Sequence, residues 1–273
     1  MELGFLSWFF FFGIIIATAQ DLKRREVDNW LNYFLLLGSF SYVFFLVIFE
    51  RNFSLVFISF FVLVIMFALM NLFYYGRVFG GGDAFLLFAM SALFVGTSYI
   101  GSAISVGIFV ALLMISGSVY GLSYSLYLYG KNFKKVNREM KRYFSKSRNI
   151  FFFSILAGIF FFLLSCFYFI FLFFAVIFIL FPFLYVFGRG LENVSMIREI
   201  STTKLREGDW LANDERVGNK TVKMNWEGLS MEEIRILRKK KIVKIKEGIP
   251  FVPAFLIGFV LYILARGWIL GLL

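Results

Sequence analysis

The chain has 273 residues, of which 60% are hydrophobic, 22% aromatic and only 16% charged, with a net charge of +11. That composition excludes an ordinary soluble domain. With no histidine and one cysteine, it also excludes Ser–His and Cys–His catalysis, an internal disulfide, a Cys-x-x-Cys site and the usual zinc and copper ligand sets.

The apolar residues come in long blocks, and spanning a bilayer takes roughly 20 such residues. Backbone groups in lipid must pair internally, so the blocks are expected to be helices. Leu3 to Ala19 lacks a preceding Lys or Arg and is read as a first span with its N-terminus outside, not as a signal peptide. Lys23-Arg24-Arg25 marks its cytoplasmic end. Trp30 to Phe49 returns outward, Glu50-Arg51-Asn52 turns, and Phe53 to Tyr75 comes back. Gly76 to Asp83 breaks the apolar pattern; Ala84 to Ser98 is a short fourth span and Ser102 to Tyr129 a long fifth.

Lys131 to Arg148 holds eight Lys/Arg and one Glu and reads as a cytoplasmic loop. The uncharged run 151–187, as one helix, would be about 55 Å long, well beyond the roughly 30 Å hydrocarbon core. Two helices are therefore expected, with no residue marking their turn. Gly188 to Gly248 carries 14 Lys/Arg and 10 Asp/Glu. In it, Ser230 to Glu233 is a capping-box pattern starting a helix through Lys240, and a hairpin is expected around Gly218-Asn219. Ile249 to Leu273 is the last span.

The expected fold is thus an all-α polytopic membrane protein of about eight transmembrane helices with a small α+β cytoplasmic domain. Its parts are a helical membrane domain over 1–187, a polar domain over 188–248 and a final helix over 249–273. Only Arg51 and Arg266 of the 28 Lys/Arg then fall outside, as the positive-inside bias requires. The net charge is accordingly read as a membrane signal, with the lipid bilayer and not nucleic acid as partner.

Only seven acidic residues lie outside the polar segment: Glu2, Asp21, Glu26, Asp28, Glu50, Asp83 and Glu139. Asp21 follows the first span directly. Asp83 follows three glycines and opens the fourth. Two carboxylates brought together can share a proton, one acting as base and one as acid, and activate water against a peptide carbonyl. Gly80, Gly81 and Gly82 can take positive φ and admit an extended peptide beside Asp83. The plainer alternatives are a helix N-cap for Asp83 and a solvated interfacial charge for Asp21. Helix dipoles alone make Asp83, at a helix start, the ionised member of the pair.

Three motifs carry a family likeness. Gln20-Asp21-Leu22-Lys23-Arg24-Arg25-Glu26-Val27-Asp28-Asn29 resembles the first aspartate motif of the type IV prepilin and preflagellin peptidases. Gly80-Gly81-Gly82-Asp83 resembles their GxGD signature. Lys246 to Leu256, with Pro250 and Pro253, is similar to a proline-bearing motif at the start of their final helices. The resemblance implies a membrane aspartyl endopeptidase without cofactor or metal, with Asp21 and Asp83 catalytic. Its substrates would be preflagellin or pilin-like precursors, cut at the cytoplasmic face of the plasma membrane to remove a short basic leader.

Gly80 to Gly82, Pro250 and Pro253 would line the substrate cleft. Glu26 and Asp28 would attract the basic leader, or simply pair with Lys23 to Arg25. Phe85 stands where family members often carry Lys. The competing readings are an intramembrane protease of the presenilin or signal-peptide-peptidase type, which also uses GxGD, and a non-enzymatic transporter or scaffold.

Overall fold

The computed structural model describes residues 4–218, 220–225 and 227–269, without side chains for 267–269. It divides into two compact units, Met1–Ser123 with Ile249–Leu273, and Tyr124–Gly248. The division falls inside a long helix.

The first unit opens with α1 (Gly4–Arg24), α2 (Asn29–Phe49) and α3 (Ser54–Tyr75). Each is a run of apolar residues with one buried stripe, such as Leu6, Phe10, Ile14 and Ala17 on α1, and with Phe and Leu exposed elsewhere. The turns after α1, α2 and α3 contain Arg25, Arg51 and Arg77 at positive φ, values of 61°, 53° and 58°. Left-handed residues of this kind stop a helix and redirect the chain.

α4 (Gly81–Ala89) continues into a 3₁₀ turn, Met90–Phe94, and the chain then extends through Val95. Ala84, Leu86, Leu87 and Ala89 to Val95 are all buried, packed with α2 and α3. α4 is therefore a core element. Irregular backbone at membrane depth is tolerated where protein covers it, which explains how so short a helix is accommodated. α5 (Tyr99–Lys131) follows.

In the second unit, α6 (Phe133–Lys146) occupies the basic segment that the sequence reading took for a loop. Its Val136 is buried, and Met140 packs at Gly190, so the charges occupy the other side of an amphipathic helix. The uncharged run folds as two helices, α7 (Arg148–Leu164) and α8 (Ile170–Leu191), joined by a turn that contains Cys166. They meet closely where a Cβ on Gly158 would lie 2.6 Å from Ile179 Cγ1.

A π turn, Glu192–Met196, leads to β1 (Ile197–Ser201). β2 (Trp210–Leu211), the hairpin of β3 (Glu215–Val217) and β4 (Lys220–Val222), α9 (Met231–Leu237) and β5 (Ile242–Lys246) follow. β5 lies between β1 and β2 in an antiparallel sheet. Gly218, at φ 61°, turns the hairpin; Asn219 lies outside the described residues. Leu205, Leu211, Val222, Leu229, Ile234, Leu237, Val243 and Ile245 form this region's own small core. α10 (Val252–Ile269) returns to the first unit and packs on α1.

The expected eight spans are reached only in part. Among the described residues five helices, α1, α2, α3, α5 and α8 with its π turn, are long and apolar enough to cross a membrane. A sixth is reached only if α6 and α7 count as one span across their 76° bend. The expected fourth and last spans appear as the shorter apolar helices Gly81–Phe94 and Val252–Arg266.

α9 starts where the sequence placed it. Ser230 Oγ accepts the Glu233 N–H at 3.3 Å, and Glu233 Oε2 accepts the Ser230 N–H at 2.9 Å. It ends at Leu237, short of Lys240. Replacing Ser230 with Ala is expected to cost about 1 kcal/mol locally, read as roughly fivefold faster amide hydrogen exchange over residues 231–237.

Candidate functional site

Asp21 sits in the last turn of α1, and Arg25 N–H still donates to its carbonyl at 2.8 Å. The turn folds back on the helix: Gln20 Oε1 accepts the N–H of Asp28 at 3.0 Å. The Asp21 side chain is only 3% exposed. A buried carboxylate needs donors, and Asp21 Oδ2 accepts the N–H of Val252, at the start of α10, at 2.9 Å. Arg25 also acts on it electrostatically.

Asp83 is reached from the other side of the unit. Gly80 is the N-cap of α4, and Asp83 lies in the first turn, where free N–H groups favour a carboxylate. A Cβ on Gly80 would lie 3.7 Å from Asp83 Oδ2, so the carboxylate folds back over the cap. The N-cap alternative for Asp83 itself therefore does not apply. The Asp21 charge acts on Asp83, so the two carboxylates, from α1 and α4, share one electrostatic site.

Both strands of this arrangement run to α10. Phe79, buried just before the glycines, packs on Phe251 and Phe255 with ring centroids 5.1 and 5.5 Å apart. Pro250 is buried, and Pro253 is partly buried in the first turn of α10. The α10 donor also alters the expectation from dipoles. That comparison considered two helices, whereas a third helix start faces Asp21, so α1 and α4 alone do not choose the ionised member.

The three glycines differ in role. None has positive φ, contrary to expectation. Gly80 and Gly81 are exposed, and a Cβ on Gly81 would meet only Tyr74 Cε2, at 3.7 Å. A Cβ on Gly82 would lie 3.2 Å from the Val27 carbonyl oxygen and 3.3 Å from its nitrogen. Gly82 thus permits a close backbone-to-backbone approach within the protein.

Glu26 is exposed. Asp28 is engaged: Arg24 Nη1 lies 3.2 Å and Trp30 Nε1 3.3 Å from its Oδ2. This is the pairing with neighbouring cations set against leader recognition above. Phe85, at the position where the resembling family often has Lys, stacks edge-on against Tyr33 at 4.9 Å. Two contributors were not foreseen. The Val252 N–H was hidden within the Pro250–Pro253 motif, whose prolines lack N–H groups and leave few donors. Asn32, buried on α2, donates from Nδ2 to the Gly82 carbonyl at 3.1 Å.

Residues 8–127, from α1 into α5, match the model of the type IV leader peptidase family. The match covers under half of the chain and is a likeness to that family. It contains Asp21 and Asp83 and ends before α6. No curated protein and no solved structure matches the chain.

The different surroundings of the glycines can be measured. Gly82→Ala must push α4 from the Val27 backbone, at a cost of about 1–3 kcal/mol, and lowers the thermal midpoint. Gly81→Ala leaves it within error.

Proposed function

We propose that this chain is a peptidase, an aspartic-type endopeptidase in which Asp21 and Asp83 cut a basic leader from pilin-like or flagellin-like precursors at the cytoplasmic membrane face. The observation that carries the reading is that two scarce carboxylates, each at a helix end and interacting electrostatically, lie inside the segment that matches the leader-peptidase family.

In this mechanism one carboxylate accepts a proton from water as the water oxygen attacks the scissile carbonyl. The neutral partner carboxyl protonates the carbonyl oxygen. Collapse of the tetrahedral intermediate breaks the C–N bond, and the amine leaves with a proton. The exposed backbone of Gly80 and Gly81 offers an edge along which an extended precursor can lie. Glu26 and Asp28 are the acids that would meet the basic leader, Asp28 while also paired with Arg24. Pro250 and Pro253 would form the far wall of the cleft, with Gly82 setting its floor.

The position of Asp21, three residues from the end of α1, favours cleavage at the boundary over the intramembrane alternative. The cytoplasmic assignment rests on the basic segments 130–149 and 188–248, which the positive-inside bias places together. This placement requires α7 and α8 both to cross, so that the chain returns to the same side.

Purified protein is expected to cleave a synthetic precursor with a basic leader, a small residue before the cut and an apolar helix after it. Asp21→Asn and Asp83→Asn should each reduce kcat on the order of 10³-fold or more. Full activity in either variant ends the assignment.

Labelling in intact cells tests the topology. Cys166, in the α7–α8 turn, should react with a membrane-impermeant maleimide. Cysteines placed at Ser145 or Lys223, in a Cys166→Ser background, should react only after permeabilisation. External reaction at Lys223→Cys reverses the placement of the polar segment.

A further inference from the structure

Asn32 is 0% exposed and lies between the buried Leu31 and Leu35 on α2. An amide in such a stripe is out of place, since a buried polar group without full partners destabilises a fold relative to an apolar side chain of similar size. Its Nδ2 donates to the Gly82 carbonyl, and its Oδ1 is buried without a partner among the described residues. The acceptor at Gly82 fixes which way the amide points, because the flipped form would set oxygen against oxygen.

The position of that acceptor matters. Gly82 immediately precedes Asp83 in the first turn of α4. Its other side is pressed on the Val27 backbone. The peptide that carries Asp83 is therefore held between a backbone contact from the α1–α2 turn and a side-chain hydrogen bond from α2. A residue that breaks the local apolar pattern while gripping the peptide beside a reactive group is where function outweighs local stability.

We infer that Asn32 is a positioning residue: through the Gly82 carbonyl it sets the orientation of the Asp83 carboxylate toward Asp21. The inference rests on the peptidase reading above. Its effect is on the geometry of the pair, so it acts on kcat more than on substrate binding, and a misplacement of about 1 Å can cost on the order of 100-fold.

The test uses the full chain in detergent or lipid discs and a synthetic precursor peptide. Asn32→Leu removes the donor and is expected to lower kcat about 10- to 100-fold, with KM within about twofold. Amide exchange over residues 81–89 should rise, while α7 is unchanged. Asn32→Asp keeps the shape but donates only when protonated, so it covers the case in which the Leu variant fails to fold. Its kcat relative to wild type should fall as pH rises.

Unaltered exchange over 81–89 together with an Asn32→Asp ratio constant across pH overturns the inference while leaving the peptidase reading intact. A wild-type chain inert toward the precursor overturns the peptidase reading, and the role of Asn32 with it.

Discussion

The N–H of Val252 and the carboxylate of Asp21 meet at 2.9 Å across 231 residues of chain, and the first unit is organised by that contact. Each group is costly alone. A carboxylate at 3% exposure has lost most of its water, and the first N–H groups of a helix have no partner within it. Pro253, without an N–H, follows Val252, and Ala254 N–H is already given to the Phe251 carbonyl at 2.9 Å. Val252 N–H, together with the adjacent Phe251 backbone, is what this helix start offers to Asp21. Docking α10 on α1 satisfies both groups at once, and Ser116 Oγ adds a bond to the Ala254 carbonyl at 2.9 Å.

The placement of Asp83 depends on the same helix by another route. Phe79 sits among Phe73, Phe251 and Phe255, so the loop leading to the glycines is anchored on α10 by aromatic packing. Polar and apolar ties converge at one helix start. The buried α4 then extends away from the pair into the core, and the exposed backbone at Gly80 and Gly81 is left at the edge. In the proposed reading the carboxylate pair has packed helices behind it and open backbone before it, the arrangement a preorganised site requires.

How much of this was legible depended on whether the cause was local. Asp21 and Asp83 stood out because acids are scarce near the apolar runs, and the family motifs lie at the same positions. The capping box at Ser230 and Glu233 is a four-residue pattern and needs no tertiary context. The α7–α8 turn could be required by length but not located, because it falls at Ser165 to Phe169 without Gly or Pro. α6 was misread because its charge outweighed its spacing; Phe133, Val136, Met140, Tyr143 and Phe144 do mark one helical face. Asn32 was invisible, since an asparagine in an apolar run acquires meaning only from Gly82, 50 residues on. The separate roles of Gly81 and Gly82 were equally hidden, because they follow from the approach of Val27 and not from glycine itself.

Why the two carboxylates lie at helix ends follows from the cost of charge in a membrane. At mid-span a carboxylate has only side chains for partners, because every backbone N–H is committed to its own helix, and the penalty amounts to several kcal/mol. A helix start is where backbone donors are free. Asp83 uses the start of its own helix, α4. Asp21 is at a helix end, where donors are absent and carbonyls are exposed, and so it requires a start supplied by another element. α10 is that element. A two-aspartate site built from a helix end and a helix start therefore needs a third helix whose start faces the first aspartate. On this argument the late Pro250–Pro253 segment belongs to the proposed site even though it lies far outside residues 8–127 of the family match.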